Sequence, residues 1–136
     1  MLFKKIICGI KKNPANIILL TLSGVIYFAN NNFLKLHTHG ILNYFFICYL
    51  NDLICPLFFL SYSNILLYAV DKEIFTLCKV IFICFLCGLI WEFFAPVLKP
   101  NSTPDLFDIL CYVLGGIIYL LIQKGVFKCQ LKNHRG

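Results

Sequence analysis

Two acids in a largely apolar chain are each followed four positions later by proline: Asp52 by Pro56, and Glu92 by Pro96. Proline has no N–H, so in helical geometry the carbonyl four residues upstream loses its partner. In both pairs that carbonyl belongs to the acid. A carboxylate beside a free backbone oxygen is the donor set that hard cations prefer. An ordinary kink at Pro56 and a helix end at Pro96 are the structural alternatives, since proline is frequent in membrane helices. Downstream, Asp105, Asp108, Tyr112, Gly115 and Tyr119 recur at spacings that place them on one helical stripe, read here as an interior face. Asp105 sits in a first turn, where the helix dipole favours an anion, whereas Glu92 falls near a helix C-terminus, where it is disfavoured. An acidic side chain at the centre of a membrane helix costs about 2.5–3.5 kcal/mol. An acid kept at such a cost is a functional candidate; a protonated Glu92 serving structure alone is the other reading.

The elements that must hold these groups follow from composition. The chain has 136 residues, 60% hydrophobic and 13% charged, with a mean hydropathy of +0.84. Soluble domains are roughly half apolar and about a quarter charged. This composition predicts an all-α, polytopic membrane protein: one domain, residues 1–136, with four transmembrane helices. The first opens at "KKNPANIILL", with Asn13 as N-cap and Pro14 in the first turn, and runs to about Ala29, ending at Asn30–Asn32. Its flanking lysines imitate a secretory signal, but the small residue of an A-x-A-like site is missing before Ala29, which predicts a retained helix. The apolar region from Gly40 to Val70 would be about 46 Å long as one helix, against a hydrocarbon core of about 30 Å. The expected solution is a short interfacial or re-entrant helix over Ile41–Leu50, a break at Asn51, Asp52 and Pro56, and a crossing from Asp52 to Val70. Crossings three and four are predicted at Ile74–Ala95 and Pro104–Ile122, antiparallel neighbours joined by "KPNSTPD", with Ser102 or Thr103 as N-cap. Gly115 and Gly116 would let another helix approach closely.

Cations set the expected orientation. With the N-terminus cytoplasmic, the inner side holds Lys4, Lys5, Lys11, Lys12, Lys72, Lys124, Lys128, Lys132 and Arg135, and the outer loops hold Lys35 and Lys99. Lys79 reaches the inner headgroups by snorkelling. The bias predicts both termini in the cytoplasm. The net charge of +6 then faces anionic headgroups, with no need of nucleic acid as partner. In this topology Asp52, Glu92, Asp105 and Asp108 converge near the outer surface, with Asn51 and Tyr112 beside them, while Asp71 and Glu73 form a solvated inner turn. The expectation is one shared pocket of carboxyls from three crossings, and no second polar cluster on the inner side.

Eight cysteines fall largely within apolar runs, where they behave as small hydrophobes. Cys84 and Cys87 form a C-x-x-C, but no second pair stands at zinc-ribbon spacing. His37 and His39, in "HTHG", read as a solvated loop rather than a metal site. Without H-E-x-x-H, G-x-S-x-G or a P-loop, a membrane-embedded hydrolase rests only on its paired carboxylates.

"YLNDLICP" (Tyr49 to Pro56), followed by "WEFFAPVLKPNSTPDLFDILCYVLGG" (Trp91 to Gly116), resembles a group of short bacterial membrane proteins labelled magnesium citrate secondary transporter. That group carries an N/D-D-x-x-C-x-P element, then F/W-E-x-x-x-P, then T-x-D-x-x-D-x-x-x-Y-x-x-G. Here Cys55 and Pro56 are adjacent. More remotely, the glutamate followed by an aspartate early in the last helix and then by glycine is similar to VanZ-like proteins, although Tyr112 replaces their asparagine and no arginine lies between Glu92 and Asp108. The resemblance implies a protein of the bacterial cytoplasmic membrane. One implied role is a VanZ-like envelope protein whose outward acids bind a cation, a headgroup or a lipid-linked envelope precursor without catalysis. The other is a small secondary transporter, homo-oligomeric, that binds Mg²⁺, Na⁺ or protons through Asp52, Glu92 and Asp108. No cofactor is expected, other than a divalent cation at these acids.

Overall fold

An amphipathic pattern precedes the first crossing. Leu2, Phe3, Ile6, Ile7 and Ile10 fall on one arc of a helical wheel and Lys4, Lys5, Lys11 and Lys12 on the other. In the computed structural model, which describes residues 2–98 and 105–133 and places side chains for all of these except 95, 96, 98 and 126–133, this stretch is helix α1, Leu2–Lys12. Asn13 does not cap the next helix. Its N–H closes the last turn of α1 on the Gly9 carbonyl at 2.9 Å, and Pro14 leads directly into α2, Ala15–Ala29.

The asparagines do not end the first crossing. A π turn, Asn30–Leu34, and α3, Lys35–His37, carry it on, so the membrane-length helix is Ala15–His37. Asparagine is a poor helix former because its side chain competes for backbone groups; here those amides are occupied elsewhere. Fully buried Asn30 donates to the Phe46 carbonyl at 2.9 Å and to Asn51 Oδ1 at 2.8 Å. Asn32 donates to the Phe28 carbonyl at 2.8 Å.

Gly40, at φ 73°, turns the chain into α4, Ile41–Cys48, which is followed by α5, Leu50–Leu67, and a 3₁₀ turn, Tyr68–Val70. A short helix before the second crossing is therefore present, but the interruption is the single residue Tyr49. Main-chain bonds bridge it, from Tyr49 N–H to Phe45 O at 2.9 Å and from Leu53 N–H to Tyr49 O at 3.0 Å. The expected break at Asn51, Asp52 and Pro56 does not occur, because Pro56 is accommodated within α5, buried against α7. After Asp71, in the left-handed region at φ 56°, an extended stretch leads to α6, Leu77–Leu98, and α7 spans Leu106–Asn133. Helix α6 passes through position 96 and stops at Leu98, so Pro96 does not end it. The anticipated Ser102 or Thr103 cap, with Lys99, Pro104 and Arg135, lies outside the described residues.

No strand occurs among the described residues, and four helices are long and apolar enough to cross a membrane: Ala15–His37, Ile41–Val70, Leu77–Phe94 and Leu106–Gly125. Ile18, Leu22, Val25, Phe28, Phe82 and Leu121 lie half or more uncovered along them, which suits a lipid bilayer as the surrounding solvent. Helix α5 packs between α2 and α7, and α6 packs on α7. The paired glycines make both contacts of α7 close. A Cβ at Gly115 would meet the Leu53 carbonyl oxygen at 2.2 Å, and one at Gly116 would meet Cys84 Sγ at 2.5 Å. Leu19, Leu60, Val80, Cys84, Tyr119 and Leu120 form the core between them.

Candidate functional site

The acids gather at the end of the bundle that holds the Thr38–Gly40 turn and the α6–α7 junction. Glu92 Oε2 accepts the Asp105 N–H at 3.0 Å, and Asp105 Oδ1 accepts the Phe107 N–H at 3.0 Å. A helix N-terminus leaves its first N–H groups without intrahelical partners, and these two carboxylates, one local and one from α6, satisfy them. Because α6 runs on to Leu98, Glu92 lies more than a turn inside it rather than at its end, and its carboxylate is well placed for the dipole of α7. Its carboxyl also lies close enough to Asp108 to act on it electrostatically. Asp52, on α5, lies within electrostatic reach of Asp108, Glu92 and the opposite charge of Lys35. Asp52, Glu92, Asp105 and Asp108, from three segments, thus lie at one end of the bundle.

They do not share one pocket. Asp52, Asn51 and Tyr112 line a groove of about 580 Å³, whereas Glu92 and Asp105 face a separate depression of about 200 Å³ bounded by Leu89, Phe93 and Ile109. The α6–α7 contact divides them, with Asp108 half-buried beside it. Among the described residues no three acidic, histidine or cysteine side chains converge closely enough to ligate one ion. His37 turns back onto its own helix, with Nδ1 2.9 Å from the Phe33 carbonyl oxygen.

The groove mixes polar and apolar lining. Lys35, Asn51 and Asp52 face it together with Ile47, Phe58 and Trp91. Asn31 Oδ1 accepts from Lys35 Nζ at 2.9 Å and from Asn51 Nδ2 at 3.4 Å, and Asn30 reaches the other end of the Asn51 amide. A chain of amides therefore fixes the lysine on α3 relative to the carboxylate on α5. Sequence reasoning missed this set; its one visible signal is that Lys35 stands four residues after Asn31. Buried Tyr112 and Cys55 also line the groove. Of the predicted interior stripe, Tyr112, Gly115 and Tyr119 are buried, whereas Asp105 and Asp108 are half-buried. Cys55, Cys84 and Cys87 are free thiols lining an adjoining cavity of about 220 Å³, also bounded by Pro56 and Tyr112.

A second polar cluster exists after all, at the opposite end. Asn13 Nδ2 donates to Gln123 Oε1 at 2.9 Å, Asn16 Nδ2 to the Tyr68 hydroxyl at 2.6 Å, and the Tyr119 hydroxyl to Asn16 Oδ1 at 2.7 Å. Gln123 Nε2 also donates to Asn16 Oδ1, and Asn64 Nδ2 donates to the Tyr119 hydroxyl. All six side chains are buried. Tyr119 stands on the predicted stripe, but its partners come from distant segments, Asn13 and Gln123 standing 110 positions apart, so no local pattern announces the cluster. Unpaired amides are costly in a bilayer; here each finds a partner. Neither an acid nor a lysine belongs to this cluster, so it stores no net charge. No family model, no curated protein and no solved structure matches this chain.

Proposed function

We propose that this chain is a VanZ-like protein of the bacterial cytoplasmic membrane, with both termini cytoplasmic, that binds the zwitterionic headgroup of a lipid or lipid-linked envelope precursor at its outer surface, without catalysis. The observation that carries this reading is the groove: a carboxylate and an ammonium, Asp52 and Lys35, line one cavity of about 580 Å³ together with apolar Ile47, Ile54, Phe58 and Trp91. A ligand with an amine, a phosphate and an acyl chain satisfies all three parts: the amine pairs with Asp52, the phosphate with Lys35, and the chain lies along Phe58 and Trp91. Charge-assisted hydrogen bonds of this kind are about twice as strong as neutral ones. Glu92, Asp105 and Asp108 add negative potential behind Asp52 and favour a cation there.

The test is retention of phosphatidylethanolamine or a lipid-linked wall precursor by protein in nanodiscs of otherwise phosphatidylcholine, read by native mass spectrometry. Asp52→Asn should lower retention roughly ten-fold, the equivalent of one charge-assisted contact. Equal retention by the variant and the parent removes the reading.

A small secondary transporter, binding a hydrated cation or a proton at the same acids, is the second reading. The observation favouring it is the buried cluster at the opposite end, with Ser23 and Ser61 spaced along α2 and α5 between the two polar regions. The Ser61 hydroxyl is buried without a hydrogen-bond partner among the described residues, the kind of site a passing polar ligand would meet. Uptake of labelled Mg²⁺ or citrate into liposomes, abolished by Glu92→Gln, distinguishes this reading; background flux in both proteins rejects it.

A further inference from the structure

Helix α1 touches the bundle along one edge only. Gly9 lies so close to the Tyr68 ring that a Cβ there would meet it at 2.4 Å, and Lys5 pairs with Asp71 at the same edge. To one side of this edge lies the apolar arc, where Leu2, Phe3 and Ile7 are 63, 77 and 43% exposed. To the other side lie Lys4 and Lys11, while Lys12 borders a cavity it shares with Asp71 and Glu73; none of the three forms an ion pair among the described residues. Pro14 then leads at once into the first crossing at Ala15, so α1 sits at the level where hydrocarbon gives way to headgroups.

We infer that α1 is a lipid-docking helix whose partner is an anionic bilayer surface at this end of the bundle. A helix with a large amphipathic contrast, lysines on one face and Leu, Phe and Ile on the other, lies in the interface plane with its apolar side in the acyl boundary. Charge complementarity selects the headgroups. The three unpaired lysines answer acidic lipid, each contributing roughly a five-fold preference near an anionic surface, whereas Lys5 is already committed to Asp71. The contact reaches inward as well. Asn13, the residue after α1, holds Gln123, and Tyr68, the ring under Gly9, takes the Asn16 amide. The docked edge is the outer layer of the buried amide cluster, so the pose of α1 on the lipid is tied to the packing of α2 against α7.

The experiment places a single indole on α1, in a full chain carrying Trp91→Phe and Phe3→Trp, reconstituted in nanodiscs with acyl-brominated lipids. With a quarter phosphatidylglycerol, emission from position 3 should be blue-shifted and quenched by the bromines, more strongly than in pure phosphatidylcholine. Replacing Lys4, Lys11 and Lys12 by Gln should abolish the anionic increment. High salt should abolish it in the parent too, a check that needs no lysine variant. Water-like, unquenched emission in both lipids overturns the inference. So does blue-shifted emission that bromines leave untouched, because the apolar arc is then covered by protein, as in pairing with a second copy. An increment that survives both lysine removal and salt overturns the assignment to anionic headgroups.

Discussion

Glu92 Oε2 accepts the Asp105 N–H at 3.0 Å, so an acid of one membrane helix caps the start of the next. Two roles are thereby separated: the oxygen serves as an acceptor, and the charge acts on Asp108 and Asp52. Glu92→Gln keeps an acceptor and should leave stability nearly unchanged. Glu92→Ala should cost about 0.5–2 kcal/mol, the range for a lost cap, measured by thermal unfolding in detergent. Equal losses in both variants would show that charge, not capping, holds this junction.

Removing the shared acceptor of the buried cluster should be more harmful than removing a surface hydroxyl. Asn16→Ala leaves Tyr68, Tyr119 and Gln123 short of partners, at about 1–3 kcal/mol for each orphaned group. Thr21, on the same helix, is exposed and bonds only its own helix, to the Ile17 carbonyl at 2.9 Å; its replacement by Ala should fall within about 0.5 kcal/mol. Denaturation in mixed micelles compares the two directly.

The three glycines of α7 should respond oppositely. Gly115→Val and Gly116→Leu force a side chain into the Leu53 carbonyl and Cys84 respectively, and overpacking costs about 1–3 kcal/mol or more. Gly125 has open space around it, with nothing within 4 Å of a Cβ; Gly125→Ala should be neutral or stabilising by about 0.5–1 kcal/mol. Unfolding midpoints of the three variants decide the point.

The proposed orientation has its own check. In a variant with every native cysteine replaced, His39→Cys should react with a membrane-impermeant maleimide on intact cells, and Lys72→Cys only after permeabilisation. The reverse pattern inverts the assignment and puts the groove on the cytoplasmic side.

Composition and spacing made the membrane helices legible, because a window of apolar residues long enough to cross a bilayer has few other uses. The stripe through Tyr112, Gly115 and Tyr119 was legible for the same reason: helical periodicity is local. What escaped was nonlocal. Asn30 reads as a helix breaker from its propensity, yet a partner 21 residues away, Asn51, turns it into an interhelical tie. The Asn13–Gln123 bond carries no trace in either segment. Pro56 suggested a break at its own position; burial against Gly115 accommodates it, and the interruption falls at Tyr49 instead.

The π turn over Asn30–Leu34 sets the azimuth of everything beyond it. There the Lys35 N–H reaches back five residues to the Asn30 carbonyl, so one surplus residue is wound into the screw. Winding the same residues as an ordinary α-helix, without the bulge, would swing the ammonium by about 100° around the axis, out of phase with Asp52. The bearing of a key charge toward its counterpart thus depends on an indel-sized accident of helical pitch rather than on the identity of either group.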